Sequence, residues 1–87
     1  MTYVVDIDGT ICEKVSGNDY TQAKPFSNRI KVVNQLYDDG CEIIYFTARG
    51  MGRHNNDAEK AIAQFYDLTE KQLASWGAKY HKLILGK

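Results

Sequence analysis

Features that would assign this chain to a membrane, to nucleic acid or to an oxidising compartment are scarce in its sequence. No apolar run approaches the length of a membrane-spanning helix, and the N-terminus lacks the basic-then-apolar pattern of a signal peptide. Eleven basic and eleven acidic side chains balance, so no charge excess points to nucleic acid or an anionic membrane as a partner. The two cysteines, Cys12 and Cys41, lack metal-ligand spacing and favour a reduced, cytoplasmic protein over one with a single disulfide.

Linkers, internal repeats and low-complexity segments are also missing, and the sequence has one proline. The 87 residues allow one domain only, and a chain of this size buries about 60–65% of its unfolded surface. A hydrophobic fraction of 44% is enough for one core. We therefore predict a single domain over residues 1–87.

Three apolar segments have the composition of buried strands. They are Thr2–Ile7, Cys41–Phe46 and Leu83–Leu85. Because Cys41–Phe46 shows little alternation, we expect that strand to be covered on both faces. The β-α-β-α-β order predicts an α/β, Rossmann-like parallel sheet of three strands with right-handed crossovers and helices packed on its faces.

Two helical patterns separate these strands. Ser27 is a candidate N-cap for the first helix, which Gly40 ends. Asp57 is a candidate cap for the second, and Thr69 with Gln72 has the spacing of a capping box at which that helix begins or restarts. The side chains predicted to face inward are Ile30, Val33, Leu36, Tyr37, Ala58, Ala61, Ile62, Phe65, Leu73 and Trp76. The polar segment 11–24 is predicted to be an extended loop, or flap.

Two carboxylates, Asp6 and Asp8, stand at the end of the first predicted strand, where ligands bind in open α/β sheets. Strand alternation places them on one face, unless Gly9 bends the chain and turns Asp8 away. Carboxylates this close repel each other unless a cation lies between them or one is protonated. Such a pair suits a nucleophile, an acid/base partner and a hard metal ion. The alternative is a plain Asp-Gly turn, which explains Asp8 and Gly9 but not Asp6.

The segment Asp6–Thr10 resembles motif I, Asp-x-Asp-Gly-Thr, of the haloacid dehalogenase (HAD) superfamily of phosphohydrolases. Phe46–Arg49 resembles motif II, and Leu85–Lys87 resembles the Gly-Lys segment that carries motif III. Three segments are further similar to small HAD phosphatases without a cap domain that are associated with capsular polysaccharide synthesis: Ala23–Pro25, Thr47–Arg49 and Trp76–Lys87. The resemblance spans essentially the whole chain and implies the strand order 1-2-3, with the first strand at an edge.

The resemblance implies a magnesium-dependent phosphomonoester hydrolase that acts on a small phosphorylated substrate such as a sugar phosphate. Asp6 is then the nucleophile that forms an aspartyl-phosphate, and Asp8 protonates the leaving alcohol and activates water. Lys87 supplies a positive charge to the phosphoryl group. Mg²⁺ is implied between the Asp6 carboxylate, the Asp8 backbone carbonyl and the phosphate.

The resemblance also implies which residues bind the phosphate. Thr47 offers its hydroxyl and Ala48 its backbone amide, with Gly9 and Arg49 assigned to the same substrate site. Two of these residues have other interpretations. Thr47 is β-branched and is also a good strand former. Arg49 either grips substrate anions or is a solvated surface arginine.

The sequence departs from the family pattern after Lys87, where HAD phosphatases continue into a strand with an acidic pair, motif IV. The resemblance then implies a metal site with one ligand fewer. The first strand becomes an exposed apolar edge, which favours a homodimer. The chain is either a piece of a longer phosphatase or a naturally short one. The alternative function is a catalytically impaired module that binds phosphate or pairs through its open edge.

Overall fold

A computed structural model describes residues 1–15, 20–49 and 58–86. In that part of the chain, three strands form one parallel sheet in the order β1-β2-β3. The elements, in chain order, are β1 (Thr2–Asp6), a 3-10 helix (Tyr20–Gln22), α1 (Ser27–Asp38), β2 (Glu42–Thr47), α2 (Ala58–Ser75) and β3 (Lys82–Leu85). The α/β class, the parallel pairing and the edge position of β1 are confirmed. Neither α1 nor α2 has the length and apolar character that a bilayer crossing requires.

Both helices pack on the same face of the sheet, so the prediction that β2 is covered on both faces is wrong. On one side, which we call the covered face, the strand residues Ile43, Tyr45, Thr47, Leu83 and Leu85 are buried. Ile30 and Val33 of α1 and Phe65 and Leu73 of α2 belong to the same core cluster as these strand side chains. The opposite side, the open face, carries Val4, Ile44, Phe46 and Ile84, and Val4 is 64% and Ile84 41% exposed.

Strand order explains this asymmetry. The chain steps from β1 to β2 and from β2 to β3 in one direction across the sheet. A right-handed crossover in each step places its helix on the same side. A helix on the open face would require a step in the other direction, which the described residues do not contain.

Helix α1 begins one residue earlier than its predicted cap implies. Ser27 is the first helical residue, and Phe26 occupies the N-cap position without a side-chain cap. The backbone carbonyl of Phe26 accepts hydrogen bonds from the amides of Arg29 and Ile30. At the other end Gly40 has φ +95°, and the Cys41 amide donates to the Leu36 carbonyl, as the glycine stop predicts.

Helix α2 is one continuous helix, so the predicted restart at Thr69 is wrong. Thr69 is buried in mid-helix, on the same face as Phe65 and Leu73, which are buried as predicted. Ile62 lies near that face, two turns before Thr69, and yet is 41% exposed. Its exposure therefore comes from its place along the helix rather than from its direction. The predicted cap Asp57 lies outside the described residues.

Candidate active site

A cavity of about 360 Å³ lies at the carboxyl ends of β1 and β2. Its wall contains Asp6, Ile7, Asp8, Lys14, Val15, Tyr20, Phe46, Thr47, Ala48 and Arg49. Parallel pairing puts Asp6 beside Phe46, so the two segments singled out in the sequence end at the same edge. Five of the predicted site residues therefore meet in one place, a volume suited to a small ligand. Lys87 lies outside the described residues.

Asp6 is the last residue of β1 and is exposed. By strand alternation it shares the open side of the sheet with Val4. Its place in the cavity wall gives its carboxylate access to a ligand in the cavity. An attacking carboxylate needs that access.

Asp8 does not continue the strand. The chain bends after Asp6, and Gly9 adopts φ +82°, which favours glycine. As a result the Asp8 carboxylate reaches Thr47 on the covered face, whose hydroxyl donates to Oδ2 at 3.3 Å. The two carboxylates therefore diverge, which is the second of the two arrangements that the sequence allowed.

Arg49 holds Asp8 from inside the protein. The side chain is 1% exposed, so the interpretation of Arg49 as a solvated surface arginine is wrong. Its Nε donates to Asp8 Oδ2 at 3.0 Å and Oδ1 at 3.3 Å, and Nη2 donates to Oδ1 at 2.9 Å. This side-on pairing engages both carboxylate oxygens and fixes the direction of the Asp8 side chain.

The remaining donors of Arg49 also have acceptors. Nη1 donates to Gln72 Oε1 at 2.6 Å and to Thr69 Oγ1 at 3.2 Å, and Nη2 lies 3.8 Å from Cys12 Sγ. The guanidinium carbon also lies 4.7 Å from the centre of the Tyr20 ring. All five N–H groups thus have partners inside the protein. Direct contact of Arg49 with substrate stays a prediction, and it requires one of these bonds to be exchanged.

Thr69 and Gln72 are site-supporting residues that the sequence analysis assigned to a capping box. The spacing of three residues puts both side chains on one face of α2, where they receive the same guanidinium. Gln72 Nε2 in turn donates to the Tyr20 carbonyl, which ties α2 to the 3-10 helix in the flap. We call Asp8, Cys12, Arg49, Thr69 and Gln72 the Arg49 cluster.

The beginning of the flap belongs to the core rather than to a polar loop. Ile11 and Cys12 are buried, and Cys12 forms isolated bridges with Asp8 and Pro25. The Cys12 thiol lies 3.6 Å from Asp8 Oδ1 and 3.7 Å from the Ile7 carbonyl. Burial, with the nearby negative charge of Asp8, raises the pKa of Cys12 to about 11. The thiol is therefore protonated at neutral pH and is a structural group, not a nucleophile.

Thr47 is buried, and its hydroxyl accepts from the Arg49 amide at 3.2 Å while it donates to Asp8. Its predicted bond to a phosphate oxygen requires the hydroxyl hydrogen to leave Asp8. Ala48 is exposed in the cavity wall, and the contact of its amide with phosphate stays a prediction. Gly9 lies beneath the Lys14 side chain rather than among the residues of the wall.

Oxygen donors in the cavity are of the kind that Mg²⁺ binds, but they are few. In the described ranges, no three His, Cys, Asp or Glu side chains are grouped so that they could hold a metal ion. Asp6 and Asp8 are the acidic residues of the wall, and Arg49 engages the Asp8 carboxylate. Mg²⁺ commonly takes one or two carboxylates and completes its shell with water and phosphate oxygens. These residues fit a Mg²⁺ ion that takes most of its oxygen ligands from water and a bound phosphate group.

Comparison with known proteins supports the fold and gives no family. No protein-family model matches the chain, and no curated protein matches it. The crystal structure of an MCSG target from Vibrio cholerae is similar, with a TM-score of 0.91 and 24% sequence identity. The match covers 99% of this chain and 69% of that chain. It shows that this small α/β fold also occurs in a solved structure.

Proposed function

We propose that this protein is a magnesium-dependent phosphomonoester hydrolase of the HAD type, with Asp6 as its nucleophile. One observation carries the proposal. An exposed carboxylate, Asp6, and a second carboxylate held from behind, Asp8, share a cavity at the carboxyl ends of two parallel strands. The resemblance of the flanking segments to HAD motifs I and II supports the same assignment.

The proposed reaction has two steps. The Asp6 carboxylate attacks phosphorus, the bond to the leaving oxygen breaks, and Asp8 gives that oxygen a proton. Asp8 must enter this step protonated, and it leaves the step as the carboxylate that pairs with Arg49. Water then attacks the aspartyl-phosphate, Asp8 takes a proton from that water, and Asp6 and inorganic phosphate are released. Two easier steps replace one difficult step, and the Asp8 carboxyl group ends in the protonation state in which it began.

Arg49 has a positioning role in this scheme. Asp8 must meet first the leaving oxygen and then water, so its carboxylate needs a fixed direction. The side-on pair with Arg49 supplies that direction, while the Asp8 side chain keeps a fifth of its surface exposed toward the cavity. Thr69 and Gln72 fix the guanidinium in turn.

Magnesium would be held by the Asp6 carboxylate and the Asp8 backbone carbonyl. When bound, the ion supplies positive charge that reduces the repulsion between the Asp6 carboxylate and the phosphate anion. The cavity volume of about 360 Å³ favours small substrates. The resemblance to enzymes of capsular polysaccharide synthesis makes sugar phosphates the first candidates. The free thiols of Cys12 and Cys41 support a reducing compartment, the cytoplasm.

A second candidate function is a phosphate-binding or dimerising module without turnover. The open face favours it, because Val4 and Ile84 offer apolar surface that a partner could cover. Hydrolysis that depends on Asp6 distinguishes the two functions, since binding alone needs no nucleophile.

The test compares two Asp→Asn variants. Asp6→Asn should abolish hydrolysis of para-nitrophenyl phosphate in the presence of Mg²⁺, because an amide cannot form the aspartyl-phosphate. Asp67→Asn is the matched control, since Asp67 is an exposed residue of α2, outside the cavity wall, and its activity should equal that of the unaltered protein. Undiminished hydrolysis by Asp6→Asn would show that the nucleophile is another group.

A further inference from the structure

The Lys14 side chain lies directly over Gly9. A Cβ at position 9 would meet Lys14 Cε at 2.9 Å, Cγ at 3.4 Å and Cδ at 3.5 Å. Gly9 is favoured for its φ of +82°, and a Cβ there would also displace the Lys14 stem. The stem of Lys14 thus lies beside the turn at Gly9, at the wall of the cavity.

Lys14 differs from the other cation in the cavity wall, because Arg49 is already paired with protein groups. The charged residues of the wall are Asp6, Asp8, Lys14 and Arg49. Asp8 and Arg49 neutralise each other in a direct ion pair, and all Arg49 donors have acceptors. Lys14 is exposed and forms no hydrogen bond or ion pair with any described residue. Among the described residues of the wall, Lys14 is therefore the cation whose N–H donors are available to a ligand.

We infer that Lys14 is a substrate-binding residue whose ammonium pairs with the phosphoryl dianion from the flap side of the cavity. The inference rests on the proposed function and adds a residue that binds the substrate phosphoryl group. A dianionic phosphomonoester entering beside the Asp6 carboxylate requires positive charge in addition to the metal. An ammonium group on a flexible stem supplies that charge without the fixed geometry of a guanidinium. Phosphodiesters, which carry one negative charge, gain less from it.

Two lysine variants test the inference, with inorganic phosphate as the probe. Lys14→Met keeps most of the stem and removes the charge, and Lys24→Met is the matched control on an exposed flap residue outside the cavity wall. In calorimetric titrations with Mg²⁺ present, Lys14→Met should bind phosphate about tenfold more weakly, as expected for loss of one charge-assisted hydrogen bond. Its KM for para-nitrophenyl phosphate should rise by a similar factor, and kcat should change less. Lys14→Arg should restore much of the affinity, and Lys24→Met should match the unaltered protein.

Phosphate affinity separates this inference from the proposed function. If Asp6→Asn hydrolyses normally, the nucleophile assignment fails, but Lys14 is still judged by phosphate binding. A Lys14→Met variant that binds phosphate as tightly as the unaltered protein would overturn the inference. An unaltered protein that binds no phosphate at millimolar concentration with Mg²⁺ present would overturn it as well. Salt gives a second measure: because Lys14 is exposed, raising the ionic strength should weaken phosphate binding more in the unaltered protein than in Lys14→Met.

Discussion

The covered and open faces of the sheet differ, and the two carboxylates of the site divide between them. On the covered face, Tyr45 and Thr47 are buried beneath helices, and Asp8 turns toward that side to meet Arg49. On the open face, Val4 is exposed, and Asp6 follows it along β1 into solvent. Residues on the covered side therefore fix the direction of the Asp8 side chain, whereas the open side leaves the Asp6 side chain accessible.

This division suits the proposed reaction. An acid/base group has to be oriented for two successive proton transfers, and the buried hydrogen bonds of the Arg49 cluster provide that orientation. A nucleophile has to be reached by its substrate, and an exposed strand end provides that access. Under the proposed function, the two neighbouring aspartates would take different roles because their surroundings differ.

The largest effect is expected at the centre of the covered side. Arg49→Ala removes a buried cation and leaves Asp8, Thr69 and Gln72 without their shared partner. Breaking a buried pair costs about 3–5 kcal/mol, which in a chain of this size approaches the whole free energy of unfolding. Urea unfolding measures the loss, with the exposed Arg29→Ala as the control. A loss for Arg49→Ala no greater than that for Arg29→Ala would show that the Arg49 cluster does not stabilise the fold.

Substitutions of two neighbouring isoleucines in β2 compare how much each face contributes to the free energy of unfolding. Ile43 is buried on the covered face, and Ile44 is half-buried on the open face. Ile43→Ala should lower the free energy of unfolding by about 2–5 kcal/mol, because it leaves a cavity in the core. Ile44→Ala removes the same atoms from a partly solvated site and should cost about 1 kcal/mol. Equal losses in urea unfolding would mean that the open face is covered in solution, and light scattering would then test whether a second copy of the chain covers it.

A smaller effect of opposite sign is expected at Tyr45. Its hydroxyl is buried and has no hydrogen-bond partner among the described residues. Tyr45→Phe should raise the free energy of unfolding by about 1 kcal/mol, since it removes an unsatisfied polar group and keeps the ring packed against Tyr80. Tyr80→Phe, at a half-buried residue, is the control and should change little. A destabilised Tyr45→Phe would reveal a partner for the hydroxyl.

The last effect concerns alkaline pH. Burial raises the pKa of Tyr45 from 10.0 to about 12 and that of Cys12 from 9.0 to about 11. Because the folded state binds these protons more tightly, stability is complete below pH 9.0 and falls as the pH rises toward about 12. Urea midpoints measured across this range should fall for the unaltered protein and fall less above pH 10.0 for Tyr45→Phe. Identical curves would exclude Tyr45 as a source of the loss.

The sequence pattern predicted the strands, and the family resemblance implied their order. The meeting of Asp6, Asp8 and Thr47 could be predicted because parallel strands bring their carboxyl ends to one edge. It did not predict the burial of Arg49. The spacing of Thr69 and Gln72 fits a helix cap and a shared partner equally well, and only the position of α2 over the sheet decides between them. The turn of Asp8 likewise depended on the φ angle of Gly9, for which glycine allows either sign.

The one-sided placement of the helices follows from the strand order, but the composition of the second strand predicts cover on both faces. Strand order 1-2-3 with right-handed crossovers already requires both helices on one face. The low alternation of the second strand instead suggested burial on both faces. Apolar side chains at Ile44 and Phe46 explain the error, since they lie on the open face and are only half-buried.

The most direct test of Asp6 as the nucleophile is to trap the phosphoryl group on Asp6 in the Asp8→Asn variant. The leaving group of para-nitrophenyl phosphate departs without a proton, so the first step proceeds, while attack by water lacks its base and the aspartyl-phosphate accumulates. Mass spectrometry after acid quenching should then find one phosphoryl group on the peptide that contains Asp6, and none when Asp6→Asn is added. A phosphoryl group on any other residue would rule out Asp6 as the nucleophile, and turnover by Asp8→Asn at the rate of the unaltered protein would rule out Asp8 as the base.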